Sequence, residues 1–165
     1  MFYEARTKAP LKHDPVKALV APRPIGWIST LSREGVANLA PYSFFNGFNY
    51  FPPTLGFSSI GAKDSLINAR ETGEFVWNMA TYALRDAVNI SAEEVPHGVD
   101  EFERAGLEKL PSRLVKPMRV KGSPIQFECV YLNSLRFPGK PPMGTADVVF
   151  GRVVAIHIDD EVING

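Results

Sequence analysis

The pattern of hydrophobic and polar residues divides this chain into short segments, and most of these segments are predicted to be strands. The predicted strands cover residues 25–31, 36–40, 54–59, 74–80, 124–135 and 145–159. Residues 32–35, with the sequence SREG, predict the turn of a hairpin between the first two strands. Gly151 lies inside the last strand and predicts a bulge or a bend. Because most connections are short, the pattern favours an antiparallel barrel over a doubly wound parallel sheet.

Helices are predicted in three of the connections between strands. The first begins at Asp64, which can cap it, and ends at Gly73. The second follows Thr81 as its N-cap, and the third is a short helix that follows Asp100 and ends at Gly106. The fold class predicted from these patterns is mainly β, with helices inserted between the strands.

Residues 38–53 do not follow the period of a helix or a strand for long, and they predict a loop. Their sequence is NLAPYSFFNGFNYFPP, which combines six aromatic rings with three asparagines and three prolines. Two interpretations of so much apolar ring surface stay open. The rings either form a platform for a flat cofactor, or they plug a barrel end or a subunit interface.

Length and composition exclude several classes of protein. A chain of 165 residues is most simply one domain with a substantial core. Its 18 basic and 18 acidic residues balance, so no net charge favours nucleic acid or an anionic membrane as a partner. Cys129 is the single cysteine, which excludes an intrachain disulfide and a cysteine-based metal cluster. With no long apolar run and no signal-peptide pattern at its start, the chain is predicted to be cytoplasmic.

Well-known catalytic motifs are absent from the sequence. It contains no glycine-rich phosphate loop and no GxSxG nucleophile motif. Its three histidines, His13, His97 and His157, are far apart in sequence, and no metal site is predicted.

Polar side chains lie instead at the ends of predicted strands and at the start of the first helix. They are Ser29, Thr30, Ser43, Asn46, Ser58, Ser59, Lys63 and Ser65. A helix N-terminus beside a lysine favours an anion, and together these residues suit a phosphate monoester. The alternative for each of them is a structural role in a turn or a helix cap.

Four segments of the chain resemble one family. They are RPIGWIST (23–30), NLAPYSFF (38–45), KDSLINARETGEFVWN (63–78) and GRVVAIHIDDEVI (151–163). The chain resembles the flavin reductase-like FMN-binding split-barrel family, and its flavoredoxin branch in particular. The resemblance implies a six-stranded antiparallel split β-barrel that forms a homodimer and binds FMN near the dimer interface. It also implies that NADH or NADPH reduces the flavin.

The resemblance further implies roles for individual residues. Those that match the flavin-contacting strand end and ring-contacting loop are Ser29, Thr30, Tyr42, Ser43, Phe44 and Asn46. Those that match the site of the phosphate and ribityl chain are Ser58, Ser59, Lys63 and Ser65. His157 lies where some relatives approach the nicotinamide, and a structural histidine on the strand is the alternative. Within the aromatic stretch, we expect residues 41–46 to face the flavin and residues 48–51 to pack against the core or a partner subunit.

The expected function is therefore that of an NAD(P)H-dependent flavin reductase that passes a hydride to FMN. The electron acceptor is expected to be a small molecule or a partner redox protein. Two alternatives stay open, namely a non-enzymatic FMN-binding electron-transfer protein and a flavin-free split-barrel interaction module. Relatives usually continue past the DDEVI segment, so we expect this chain to lack a C-terminal segment. No residue that would distinguish NADH from NADPH is identified from the sequence.

Overall fold

The computed structural model describes residues 2–4, 11–13, 15–141 and 144–164. Its main element is one antiparallel sheet of seven strands in the order β2-β1-β5-β8-β9-β4-β3. The strands are β1 (Gly26–Leu31), β2 (Ala37–Tyr42), β3 (Phe45–Tyr50), β4 (Pro53–Ile60), β5 (Glu74–Met79), β6 (Lys109–Leu110), β7 (Arg119–Val120), β8 (Ile125–Phe137) and β9 (Ala146–Ile158). The two short strands β6 and β7 form a separate hairpin.

Within the described residues, five helices accompany the sheet: α1 (Val16–Leu19), α2 (Asp64–Thr72), α3 (Arg85–Ile90), α4 (Glu101–Arg104) and α5 (Asp160–Asn164). A 3₁₀ turn, Tyr82–Leu84, leads into α3. In the part of the chain that the structure describes, no helix is long and apolar enough to span a membrane.

The predicted helix ends are confirmed more often than the predicted caps. As predicted, Gly73 ends α2 in the left-handed conformation with φ +78°. Of the three predicted caps only Asp100 is confirmed, because its carboxylate accepts the N–H groups at the start of α4. Asp64 does not cap α2, because it is the first helical residue and its carboxylate lies 2.6 Å from His97 Nδ1. Thr81 precedes the 3₁₀ turn without a capping hydrogen bond from its side chain.

The loop prediction for residues 38–53 is wrong. These residues form the end of β2, the whole of β3 and the start of β4. β3 is an edge strand whose residues after Phe45 are all exposed, so it lacks the alternating burial from which a strand is recognised. A register shift between Gly47 and Asn49 disturbs the alternation further. This strand brings the main sheet to seven strands rather than six.

The mainly β, antiparallel split-barrel prediction is confirmed. The sheet curls but is not closed, since no ladder joins β2 to β3 within the described ranges. Between β8 and β9 the register shifts at Glu128/Cys129 and again at Tyr131/Asn133, and such bulges bend a sheet. Gly151 pairs with Tyr131 at the second shift, as the sequence predicted.

β1 separates two hydrophobic clusters. Ile28 points into one cluster with Phe57, Phe75 and Val149, while Trp27 points into the other. Successive side chains of a strand point to opposite faces, so a strand between two clusters is buried on both sides. Five of the six residues of β1 are buried accordingly.

Gly151 is required by close packing in the first cluster. A β-carbon added there would overlap the ring of Phe75 and lie 3.3 Å from Cys129 Cβ. The ring of Phe75 is itself held edge-on against Phe57, with centroids 5.5 Å apart, so it has little freedom to move.

We therefore expect Gly151→Ala to lower the free energy of unfolding by about 1–3 kcal/mol, because overpacking a filled core displaces its neighbours. Gly47→Ala is the matched control, since a β-carbon there would meet only Leu55 Cδ2 at 3.9 Å. Urea unfolding of both variants measures the difference. If Gly151→Ala and Gly47→Ala lower the free energy of unfolding equally, the ring of Phe75 does not constrain residue 151.

Candidate functional site

Two cavities lie on either side of a shared wall formed by Pro41, Tyr42 and Lys63. The first, here called the serine cleft, has a volume of about 290 Å³ and is lined by Pro41, Tyr42, Ser43, Phe44, Ser58, Ile60 and Lys63. The second, here called the acidic cavity, has a volume of about 330 Å³. It lies between β2, the start of α2, residues 91–95 and α4.

Main-chain hydrogen bonds position the serine cleft. β2 ends at Tyr42, and the chain bends through Ser43 and Phe44 before β3 begins. The N–H of Ser58 on β4 donates to the Phe44 carbonyl at 2.9 Å and holds this bend. The hydroxyls of Ser43 and Ser58 are therefore brought to one cleft, together with the half-exposed ring of Phe44.

Lys63 stands directly before α2 in an extended conformation. Its carbonyl accepts the N–H groups of Leu66 and Ile67, so the N–H groups of Asp64 and Ser65 precede the first intrahelical bond. These N–H groups and the helix dipole favour an anion at this end of α2. Among the residues that line the two cavities, Lys63 is the only basic one, and its Nζ lies 3.7 Å from Glu94 Oε1.

The Tyr42 hydroxyl is buried in the shared wall and has no hydrogen-bond partner among the described residues. Burial raises the pKa of Tyr42, while the nearby hydroxyls of Ser65 and Ser59 act in the opposite direction. The net shift is upward, so the phenol is protonated at neutral pH and can donate a hydrogen bond.

Ser29 and Thr30 do not line either cavity. Ser29 Oγ donates to the Met118 carbonyl at 2.6 Å and accepts from Asn78 Nδ2 at 3.2 Å. Thr30 Oγ1 accepts from the side-chain amides of Asn38 and Asn68, each at 3.1 Å. Both hydroxyls thus make hydrogen bonds inside the protein. Their contact with a flavin stays a prediction.

Asn38 connects the sheet to the start of α2. Its Nδ2 donates to Ser65 Oγ at 2.9 Å as well as to Thr30 on the neighbouring strand. Ser65 is buried, and its oxygen accepts from Asn38, so its own proton is left for another acceptor. Asn38 was not among the predicted site residues, although an amide inside an otherwise apolar strand is a signal for a buried polar contact.

Asn46 and Ser59 are placed apart from the cleft lining. Asn46 is exposed on β3, and its Oδ1 accepts the N–H of Gly47 at 2.9 Å. Ser59 is buried and donates to the Gly61 carbonyl at 3.2 Å, in the turn that leads to Lys63. Of the ten predicted cofactor contacts, those that line one of the two cavities are Tyr42, Ser43, Phe44, Ser58, Lys63 and Ser65.

His157 lies on β9 and lines neither cavity. Its Nε2 is 2.6 Å from Glu128 Oε1, and the buried Glu128 carboxylate also accepts the N–H groups of residues 113–115. Burial raises the pKa of Glu128, but these donors outweigh it and hold the pKa below the ordinary value. The arrangement favours the structural interpretation of His157, as a partner of a buried carboxylate.

The serine cleft has the chemistry of a site for a flat ligand with an anionic end. Pro41, Tyr42 and Phe44 offer apolar and aromatic surface, while Ser43 and Ser58 offer hydroxyls. The anionic end has Lys63 and the start of α2 beside it. Within the described residues, no group of three or more histidine, cysteine, aspartate or glutamate side chains is placed to hold a metal ion.

Tyr42→Phe is expected to leave the free energy of unfolding unchanged or to raise it by up to about 1 kcal/mol, because a buried hydroxyl without a partner is removed. Tyr131→Phe is the matched control, since the Tyr131 hydroxyl lies 3.0 Å from Ser134 Oγ and its removal is expected to cost about 1 kcal/mol. Thermal and urea unfolding compare the two. If Tyr42→Phe lowers the free energy of unfolding more than Tyr131→Phe does, the Tyr42 hydroxyl makes a hydrogen bond.

Known proteins share sequence and fold with this chain. The family model for the flavin reductase like domain matches residues 19–164. An uncharacterized protein of Aquifex aeolicus is 38% identical over 154 residues, covering 90% of this chain and 76% of that protein. Nitrilotriacetate monooxygenase component B from Bacillus cereus superposes with a TM-score of 0.81 at 30% identity, covering 94% of this chain and 84% of its own.

A structure of the FMN-binding protein from Thermus thermophilus with bound p-hydroxybenzaldehyde shares the fold, with a TM-score of 0.76. It is 16% identical to this chain, and the superposition covers 99% of this chain and 85% of that protein. The family-model match over residues 19–164 confirms the family predicted from the sequence motifs. The chain belongs to the flavin reductase like domain family.

Proposed function

We propose that this protein binds FMN in the serine cleft and that NADH or NADPH reduces the bound flavin. The observation that carries the proposal is the meeting of a ring-lined cleft with Lys63 and the N-terminus of α2. Membership of the flavin reductase like domain family supports it, as does the shared fold with an FMN-binding protein. When bound, FMN supplies the redox chemistry by accepting a hydride at its N5 atom.

The phosphate of FMN has suitable donors at the wall that the serine cleft shares with the acidic cavity. Lys63 contributes a full positive charge, and the N–H groups of Asp64 and Ser65 contribute the partial charge of a helix N-terminus. The hydroxyl of Ser58 faces the same cleft, and the hydroxyl of Ser65 lies on the far side of the wall with its proton available. These donors resemble those of other phosphate sites at helix N-termini.

The flavin ring has apolar and hydrogen-bonding surface in the lining of the serine cleft. Pro41 and the ring of Phe44 exclude water from a flat ligand, and the Arg23 guanidinium lies 5.4 Å above the Phe44 ring. The bend at Ser43 and Phe44 is held by Ser58, so main-chain groups there are fixed before a ligand arrives. Holding the two rings in line is the main task of the protein, since hydride transfer needs no general acid or base.

Anaerobic titration of the purified protein with FMN, then with NADH or NADPH, tests the function. We expect FMN to be taken up and its visible absorption band to be bleached by at least one dinucleotide. Uptake of FMN without bleaching by either dinucleotide would favour the non-enzymatic electron-transfer alternative. Failure to take up FMN at all would favour the flavin-free interaction module and would contradict the proposal.

Lys63→Ala is expected to weaken FMN binding by roughly fivefold, or about 1 kcal/mol, since the lysine is half exposed and solvent screens its charge. Lys121→Ala is the matched control, because Lys121 is similarly exposed and pairs with Glu108, and neither residue lines the two cavities. Fluorescence quenching of free FMN measures both affinities. The same experiment with riboflavin separates the phosphate from the ring, since Lys63→Ala should not change riboflavin binding.

The homodimer, the electron acceptor and the cytoplasmic location stay predictions. For the homodimer, the rings of the β3–β4 turn are relevant. Tyr50 and Phe51 are almost fully exposed, while Phe48 packs edge-on against Phe150 with centroids 5.2 Å apart. Of the residues expected to face the flavin, 41–44 line the serine cleft and 45–46 do not, while packing of residues 48–51 against a partner subunit stays a prediction.

A further inference from the structure

Four carboxylates line the acidic cavity, and one of them differs from the others. Three pair with a basic side chain, namely Asp64 with His97, Glu93 with Arg104 and Glu94 with Lys63. The fourth, Glu101, is 5% exposed and has no ion-pair partner among the described residues. A buried carboxylate without a cation costs free energy, and such groups concentrate at functional sites.

The Glu101 carboxylate is held in place by the elements around it. Glu101 is the first residue of α4, and the Asp100 carboxylate caps this helix. The next residue, Phe102, is fully buried with Trp27 and Leu39 in the second hydrophobic cluster. One oxygen of Glu101, Oε2, accepts the Leu39 N–H on β2 at 2.9 Å. The carboxylate is therefore fixed at the wall of the cavity rather than on a free surface.

The electrostatic surroundings of Glu101 favour its neutral form. Burial raises the pKa of Glu101, the Leu39 N–H lowers it, and the Asp64 and Asp100 carboxylates raise it further, so that the net shift is upward. Asp100 is paired with Lys109. The other titratable groups that face the cavity are Tyr42 of β2, Lys63 and Asp64 at the start of α2, and Glu93 and Glu94. Of these, Lys63 is the single cation that could offset the charge of Glu101, and it pairs with Glu94.

The proposed position of the FMN phosphate adds negative charge to these surroundings. The phosphate would lie at Lys63 and the N–H groups of Asp64 and Ser65, and these residues line the same cavity as Glu101. A phosphate monoester carries about two negative charges at neutral pH. The Asp64 carboxylate at this end of α2 already acts on Glu101, so a phosphate there acts in the same direction and with more charge.

We propose that Glu101 is a proton switch for the flavin phosphate: FMN binds tightly when the Glu101 carboxyl is protonated and more weakly when it is ionised. This inference rests on the proposed function, because it concerns the phosphate of FMN at the start of α2. The proton comes from solvent, and no bond of the flavin forms or breaks. A protonated Glu101 keeps one oxygen for the Leu39 N–H and can donate a hydrogen bond from the other.

The pH dependence of this switch has a definite sign. Bound phosphate disfavours the ionised carboxylate, so the pKa of Glu101 is higher in the FMN complex than in the free protein. FMN affinity is then highest below both pKa values and falls as the pH rises from the pKa of the free protein to that of the complex. The phosphate itself also titrates, but it does so for the wild type and for every variant. The ratio of variant to wild-type affinity at each pH therefore reports Glu101 alone.

The test compares the wild type with Glu101→Gln, which keeps the shape of the side chain and an oxygen for the Leu39 N–H. Glu103→Gln is the matched control, because Glu103 lies on the same helix, is exposed, pairs with Lys109 and lines neither cavity. Fluorescence quenching gives the affinities of FMN and riboflavin from mildly acidic to mildly alkaline pH. Infrared difference spectroscopy of the wild type, with isotope-labelled glutamate to identify the band, follows carboxyl protonation on FMN binding without any substitution.

Glu101→Gln is expected to bind FMN about fivefold more tightly than the wild type at mildly alkaline pH, because it removes a like charge from a partly solvated cavity. The gain should shrink at mildly acidic pH, where the wild-type carboxyl is protonated. Riboflavin affinity should not change, because riboflavin lacks the phosphate, and Glu103→Gln should match the wild type with both ligands. In the wild type, FMN binding should produce the infrared band of a protonated glutamate.

Equal FMN affinities for Glu101→Gln and the wild type, or a gain of the same size for riboflavin, would overturn the inference. If Glu101→Gln does not fold, the infrared measurement on the wild type decides, and the absence of a protonated glutamate band overturns the proton switch. The outcomes also separate this inference from the proposed function. If FMN is bound and reduced but Glu101→Gln leaves its affinity unchanged, only the proton switch falls. If the wild type takes up no FMN, the proposed function falls and the proton switch falls with it.

Discussion

Burial of β1 on both faces is the constraint on which the rest of this structure depends. The strand carries Ser29 and Thr30 into the interior, where a hydroxyl without a partner would be costly. Three side-chain amides supply the partners: Asn78 for Ser29, and Asn38 and Asn68 for Thr30. Because these amides come from β5, β2 and α2, satisfying two hydroxyls fixes the position of three further elements against β1.

The same contacts place the candidate site. Asn38 also binds Ser65, so the N-terminus of α2 is tied to β2 at the level where the two cavities begin. Lys63 then stands between a cleft of rings and serine hydroxyls and a cavity of carboxylates. The one basic side chain of the two linings therefore lies on the wall that the two cavities share.

Most elements were predictable because their signals are local. The strands were predicted from a two-residue period, the end of α2 from the left-handed glycine Gly73, and the start of α4 from the Asp100 cap. Each of these signals depends on a few neighbouring residues, and each prediction is confirmed. β3 was not predictable, because an exposed edge strand has no buried face to create a period, and its hydrogen bonds come from β4. The acidic cavity was not predictable either, since Glu93 and Glu101 reach it from segments 30 and 38 residues beyond Lys63 in the chain.

The sequence by itself determined the fold class, the family and the association of Lys63 with a helix start, since these depend on periodicity and on contiguous motifs. Only the tertiary structure decided which hydroxyls are available to a ligand. Ser29 and Ser58 occupy similar positions in the sequence pattern, yet the first bonds inside the core and the second faces the cleft. The physical reason is that the partner of a polar side chain is set by the strands packed beside it, which are distant along the chain.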